Sequence, residues 1–523
     1  MRIKLNILLA VFIYLAHLTT IAQSTATKKV VKSLLSDAKF SFDSEDYPTA
    51  WQIYRQVLSI DQHNDEASVN GALCAIKLRF VLDSTVDLIS NLSHSNLTEA
   101  KYCLARIKQK QKHFDQSILL FNEYNLIDQK KRIFKTEETD YLIKNCKDAQ
   151  QLISQPHRAA IKNMGSNINS QYADYVPVIV PDESALYFTS KRPGSPNSKV
   201  NGDDNYYEDV YVSFNYKGTW ERAQNAGKPI NSETNDGCVA ISPDGHKMIV
   251  YRTASDMVSG DLYITRAGKD NKWQPLELMS KEINSHYVES SACFSNDTSE
   301  IYFSSNRPGG YGGKDIYRIK KLPNGKWSTA YNLGPQVNTK YDEDAPFLHP
   351  DGVTLFFSSR GHNTMGEYDV FKSVLNEETH LFSKAENLGY PINDVGDDIF
   401  FVLSVDGKRG YYSSIKSDSY GDVDIYQVDT RYGDNDLKVK LGLAFLDDSP
   451  GRVKITLIDK ETNEETGHFY SHPVTGKFIL VMNPLKSYKA IVEEEGFDTV
   501  ERDLTPIVME KSDIELEFKL KKG

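Results

Sequence analysis

The sequence predicts a multidomain chain running from α to β: a helical N-terminal part, a five-bladed β-propeller and a small C-terminal β-sandwich. Three observations predict it. Five Asn residues, Asn169, Asn231, Asn284, Asn338 and Asn393, recur at intervals of 62, 53, 54 and 55. Before them, residues 24–155 contain only Pro48 and Gly71 as helix breakers and carry helical periodicity. After about residue 436 the pattern changes to strict alternation of apolar and polar residues, the mark of half-buried strands. Composition agrees, with 30 Tyr and 23 Phe against 4 Trp among 523 residues, since Tyr and Phe favour pleated surfaces.

The N-terminus reads as a leader. Arg2 and Lys4 precede a mostly apolar run, Leu5–Leu18, and small residues stand at Thr20-Ile21-Ala22. That is the charge, apolar, small-residue order of a secretory signal peptide over residues 1–22. No later run is long and apolar enough to span a membrane, and no Cys stands at the cleavage position to carry a lipid. The protein is therefore expected to be exported, to the periplasm or beyond. The net charge of −11 is spread along the chain and excludes the basic surface that a nucleic acid needs. Five Cys cannot all pair within one chain, and none has zinc-ligand spacing. They read as buried thiols, with Cys238–Cys293 the one bridge considered.

Over residues 24–158, small residues at Ala38 and Ala50 allow two antiparallel helices to approach, with Tyr54 and Leu58 filling the groove. Ala38, Ala72 and Ala105 recur at nearly equal intervals, and Ala50/Tyr54 is echoed by Ser117/Phe121. This resembles a tetratricopeptide array, whose groove holds protein partners.

In the ring, residues 159–432, each repeated Asn is followed at one fixed offset by an Asp: Asp182, Asp244, Asp297, Asp351 and Asp406. Three sit in Asp-Gly corners, and all five read as caps of a repeated turn. A short apolar strand follows each. A second Asp then opens another strand at Asp209, Asp261, Asp315, Asp369 and Asp424. Asn163…Asn169 repeats the spacing of the closing segment Asn387…Asn393, so the first strand is expected to complete the last blade. One strand, four units of four and a final three give five blades. A six-bladed ring, the alternative, needs four more strands than the repeat supplies. These units resemble the TolB-like, WD-type propeller repeats of bacterial envelope proteins, most of all at Pro243-Asp244-Gly245, Pro350-Asp351-Gly352 and 303–317 (Phe-Ser-Ser-Asn-Arg-Pro-Gly-Gly-Tyr-Gly-Gly-Lys-Asp-Ile-Tyr).

The loops on one face of such a ring carry Arg192, the 194–207 insertion, Arg307, Tyr311, Arg360, His362 and Tyr420. Arg and Tyr on adjacent loops suit a partner-binding surface. Asp203, Asp204, Glu208 and Asp209 are acidic enough for calcium but follow no loop motif, so no metal site is assigned. The C-terminal module, 436–523, has Thr475-Gly476-Lys477-Phe478, a strand at Tyr488 and a Gly496-Phe497 turn. It resembles a carboxypeptidase-regulatory-type sandwich, which implies a docking unit without catalysis.

No nucleophile elbow, zinc helix or phosphate loop occurs, so no cofactor and no catalysis are expected. The order of modules resembles the "OmpA family" envelope proteins of type IX secretion and gliding motility, here without the C-terminal OmpA-like domain. That resemblance implies a non-catalytic envelope scaffold, binding other envelope proteins through helical groove and propeller face, with only indirect peptidoglycan contact. The alternative is an exported propeller that binds or hydrolyses glycans.

Overall fold

The computed structural model describes residues 27–78, 86–157, 159–193, 206–256, 258–268, 272–376, 378–430, 438–463, 465–482, 486–505 and 516–523. The leader, most of the 194–207 insertion, Asp203 and Asp204 lie outside these residues. The chain divides into two compact units, Met1–Gln150 and Gln151–Gly523.

The first unit holds α1 (27–43), α2 (Tyr47–Ile60), α3 (Asp65–Lys77), α4 (Val86–His94), α5 (Thr98–Lys110), α6 (Phe114–Asn125) and α7 (Thr136–Ser154). Local chemistry starts two of them. Asp46 accepts the Thr49 amide at 3.3 Å and Asn64 that of Ala67 at 3.0 Å, each filling an N-cap. Ala38, Ala50 and Tyr54 are fully buried together, and the Ser117 hydroxyl reaches the Ala105 carbonyl at 2.8 Å.

These helices do not make the expected tetratricopeptide-like array. The fully described ones range from 12 to 19 residues, α4 shows nine, and they gather round two separate apolar clusters instead of one repeated hairpin interface. The regular spacing of Ala38, Ala72 and Ala105 reflects a requirement common to helix crossings, a small residue where backbones approach. That requirement does not specify a repeat. Among the described residues, strands hold more of the chain than helices do.

The second unit contains a closed ring of five antiparallel sheets. Blade one is built from Asp174–Ile179, Ala185–Ser190, Asp209–Tyr216 and Gln224–Asn225, running from the axis outward. Blade two has Asp236–Ile241, Lys247–Thr253, Gly260–Arg266 and Glu277–Leu278; blade three has Ala292–Phe294, Glu300–Ser305, Asp315–Lys320 and Tyr331–Asn332. Blade four has Glu343–Leu348, Thr354–Ser359, Asp369–Asn376 and Glu386–Asn387. In blade five, Asp398–Leu403, Arg409–Ser414 and Asp424–Thr430 are completed by Ala159–Asn163, which pairs antiparallel with Asp424–Thr430. Each inner strand lies against that of the next blade, and the fifth against the first. Closure packs every blade face against its neighbour and leaves only short, protected strand edges, which is what makes a propeller of such short strands stable.

The repeated residues hold each blade to its loop. Asn338 binds the amide and carbonyl of Ile316 at 2.8 and 3.0 Å and reaches Asn332 Oδ1 at 2.9 Å; Asn332 in turn donates to Asp315 at 2.6 Å. The same triad recurs as Asn231/Asn225/Asp209, Asn393/Asn387/Asp369 and Asn169/Asn163/Asp424. Asp182, Asp244, Asp297, Asp351 and Asp406 each accept the amide two residues on, at 2.9–3.1 Å, so each closes a tight turn. Between blades five and one, Arg409 Nε lies 2.9 and 3.0 Å from the two Glu183 oxygens, and Tyr411 donates to the same carboxylate at 2.9 Å.

The C-terminal part of the chain forms two four-stranded sheets. One holds Lys438–Leu446, Ser449–Pro450, Lys477–Met482 and, in parallel, Leu516–Leu520; the other holds Lys454–Asp459, Glu465–Tyr470, Tyr488–Glu493 and Val500–Leu504. Ala444, Ile455, Leu457, Phe478, Leu480, Val492 and Phe518 are buried between them. All five cysteines are free and buried.

Candidate functional site at the blade-three/blade-four seam

The two mouths of the ring differ. On the far side, Pro181, Pro243, Asn296, Pro350 and Val405, one from each blade, line a cleft shared with His468, Phe469, Tyr470 and Ile479 of the sandwich. The central channel itself encloses about 80 Å³ between apolar inner-strand residues such as Val178, Ala292, Phe347 and Val402. That is less than the ~150 Å³ that takes up a benzene molecule. A ligand larger than benzene is therefore kept out of the channel itself, and one face where it can meet the ring is the entry face, where the inner strands begin.

Five acids ring that face, one per blade: Asp174, Asp236, Glu289, Glu343 and Asp398, all buried. Each lies five residues after a repeated Asn, a period the sequence carries but that was not read from it. Each accepts the amide of the residue following that Asn: Ser170, Ser232, Ser285, Thr339 and Asp394, at 2.5–2.9 Å. Four also meet a cation: Asp174 meets Arg192, Asp236 meets Arg252, Glu289 meets Arg307 and Asp398 meets Lys416. Five equivalent capped carboxylates are part of the scaffold.

This accounts for two of the candidate partner-binding residues. Arg192 lies 2.5 Å from Asp174, donates to the Ile168 carbonyl and stacks over Phe188 and Tyr211. Arg307 does the same with Glu289, Ile283, Phe303 and Tyr317. Both are tied inward. In blade four the guanidinium's place is taken by His362, packed on Phe357 and Phe371 with Nε2 2.9 Å from the Val337 carbonyl. Arg360 instead pairs with Glu367 and lies over Tyr368. Tyr311 and Tyr420 are each 52% exposed and remain open on the loops.

The fivefold pattern breaks at one seam. The residues after the ring acids are Tyr175, Gly237, Ser290, Asp344 and Ile399, so only blade four adds a second carboxylate. Asp344 accepts from the hydroxyls of Ser291 and Ser304 and from the Ala345 amide, across the boundary with blade three. Lys314 Nζ bridges it, 2.7 Å from Asp344 Oδ2 and 2.8 Å from Ser290 Oγ. A lysine ammonium has three hydrogens, so a third faces outward from this quarter-exposed side chain. Tyr311, Gly312 and Gly313 bring Lys314 there by lying on the blade-four loop: the Gly313 amide donates to Tyr341 O at 3.1 Å. A Cβ at Gly312 would collide with the Thr339 and Tyr341 carbonyls. Tyr287, 46% exposed, and Tyr311 flank the seam from blade three, and Tyr341 from blade four.

The two neighbouring carboxyls are tuned apart. Burial pushes Glu343 up to about 7, against hydrogen bonds from Ser359 and Thr339. Burial also acts on Asp344, but the Lys314 ammonium and the serine hydroxyls outweigh it and hold this carboxyl below its usual range. The inner strand is bulged here, with Ala345 at φ 53°, its amide caught by Ser291 at 3.0 Å. Bulges re-aim side chains where a ring must present them. Among the described residues, no three His, Cys, Asp or Glu side chains are placed to hold a metal ion, and no helix is long and apolar enough to cross a membrane.

No protein-family model matches the chain, and no curated protein matches it in sequence. Solved structures do resemble it. A glycoside hydrolase is 10% identical with a TM-score of 0.37, over 55% of this chain and 96% of that one. An α-L-arabinofuranosidase from Lactobacillus brevis is 14% identical with a TM-score of 0.33, over 50% and 91%. A Penicillium chrysogenum α-L-arabinanase complexed with arabinobiose is 11% identical with a TM-score of 0.32, over 50% and 97%. At these identities and scores none of them decides what this chain binds or does. The expectation that the chain is not an enzyme is withdrawn, because a missing sequence motif is no ground for excluding catalysis.

Proposed function

We propose that this is an exported, glycan-recognising propeller protein that holds its ligand across the blade-three/blade-four seam of the entry face. One observation carries the reading: among five near-equivalent blades, a single boundary gathers Lys314, Ser290 and Asp344, with Tyr287 and Tyr311 exposed on the blade-three loops that lead into it. A sugar offers apolar C–H faces and many hydroxyls. Exposed tyrosine rings suit the first and a Lys–Asp–Ser cluster the second. Export rests on the leader-like residues 1–22.

Affinity electrophoresis in gels cast with polysaccharides tests this. Tyr311→Ala should lose retardation by the bound glycan at least tenfold, whereas Tyr420→Ala, equally exposed but in blade five, should not. Equal loss in both variants, or none in either, would sink the seam as the site. Hydrolysis of the bound glycan is a second reading, favoured by the pair of acids, Glu343 and Asp344, that blade four alone carries at the start of its inner strand. Reducing ends released by the parent and not by Glu343→Gln would support it; none released by the parent refutes it.

A further inference from the structure

On the far side of blades one and two, a second cavity of about 370 Å³ lies between the ring and the sandwich. That volume is in the range of small-molecule sites. One wall is aromatic: Tyr187 and Trp273 meet edge to face at 6.1 Å, and Phe214 is 47% exposed beside them. Asp182, Asp244, His472 and Lys477 supply the polar groups.

One of those groups is set for a ligand. Asp244 is not: its side chain is 4% exposed, its Oδ2 is closed off with Arg452 3.5 Å away, and its other oxygen is used by the Ser242 hydroxyl and the His246 amide. His472 Nδ1 lies 3.2 and 3.1 Å from the amides of Val474 and Thr475 and accepts from both. Its hydrogen therefore sits on Nε2, where it remains a donor. Burial holds His472 below its ordinary range, so the ring is neutral at neutral pH.

The cavity's charges are balanced: Lys477 lies 3.3 Å from Asp182, and Arg452 beside Asp244. A charged ligand would meet no unbalanced partner. We propose that this cavity is a second ligand site that takes one neutral sugar ring. Its C–H face lies on Trp273 and Phe214, and an oxygen accepts from His472 Nε2. The site would then link the sandwich to the ring through a bound carbohydrate unit, independently of the seam.

The test titrates the full-length protein with methyl α-D-glucopyranoside, methyl β-D-galactopyranoside and L-arabinose, following tryptophan fluorescence and heat. A saturable response to at least one sugar is expected. His472→Asn keeps an acceptor for the Val474 and Thr475 amides and withdraws the Nε2 donor, so affinity should fall at least tenfold at unchanged melting temperature. Phe214→Ala, at a half-exposed position, should weaken the same response even if the first variant folds poorly. The Tyr287→Ala/Tyr311→Ala variant should leave it unchanged, which separates this site from the seam. The inference is overturned if no sugar gives a saturable response, if Phe214→Ala or a folded His472→Asn variant binds as the parent does, or if the tyrosine variant abolishes the response.

Discussion

Glu343→Gln perturbs the seam at its most unusual group. In the native ring this carboxyl has no solvent exposure and is raised from 4.5 to about 7 by burial. At about 1.4 kcal/mol per pH unit, that difference is worth about 3 kcal/mol. The sign follows from proton binding. The folded state holds the proton more tightly than the unfolded chain, so the favourable contribution is complete below pH 4.5 and is lost as pH rises through 7. Gln stays neutral throughout. Its NH2 can donate to the Thr339 and Ser359 hydroxyls while its oxygen keeps the Thr339 amide. The variant should therefore gain on the parent by up to about 3 kcal/mol between pH 4.5 and pH 8. For a ring of this size that is a relative rise in melting temperature on the order of 6–12 °C. Differential scanning calorimetry of both proteins across this pH range measures it. A difference that does not change with pH would refute the assignment of a neutral, buried Glu343.

Other consequences are as direct. Arg409→Ala removes the bidentate partner of Glu183 where blade five meets blade one, and should cost roughly 1–3 kcal/mol of ring stability by thermal melting; an unchanged melt would mean the clamp contributes nothing. Asn338→Ala strips the Ile316 amide and carbonyl of their partner in a buried site, an expected loss of roughly 2–4 kcal/mol in denaturant unfolding. All five thiols are buried, and burial pushes Cys74 and Cys293 up to about 12. Alkylation without reductant should label five cysteines in denaturant and essentially none in the native protein. Labelling of three in denaturant would reveal a disulfide.

The ring was legible because its signal is periodic. Asn and turn Asp recur at one fixed offset, the strand Asp follows 17 or 18 residues later in four blades, and four blades repeat the same Asn–Asn–Asp hydrogen bonds. The helical unit was less legible. Small residues such as Ala72 and Ala105 mark helix crossings in many packings, and their spacing alone does not distinguish a regular array from two adjoining clusters. The site was harder still. Arg192 and Arg307 look like free surface charges in sequence, because nothing local shows that Asp174 and Glu289 wait a whole strand upstream. The ring acids could have been found at the fifth residue after each Asn. Alignment of the five units would then have exposed Asp344 as the odd second acid. The cavity beside the sandwich joins Asp244 to His472, far apart in the chain, and only folding brings them together.

The central claim, that a glycan binds at the one asymmetric seam, is tested most directly on a glycan array probed with the parent, the Tyr287→Ala/Tyr311→Ala variant and Tyr420→Ala. The account predicts that the parent and Tyr420→Ala bind the same glycans and that the double variant, with an unchanged melting temperature, loses them. Retention by the double variant, or no glycan bound by the folded parent, would contradict it.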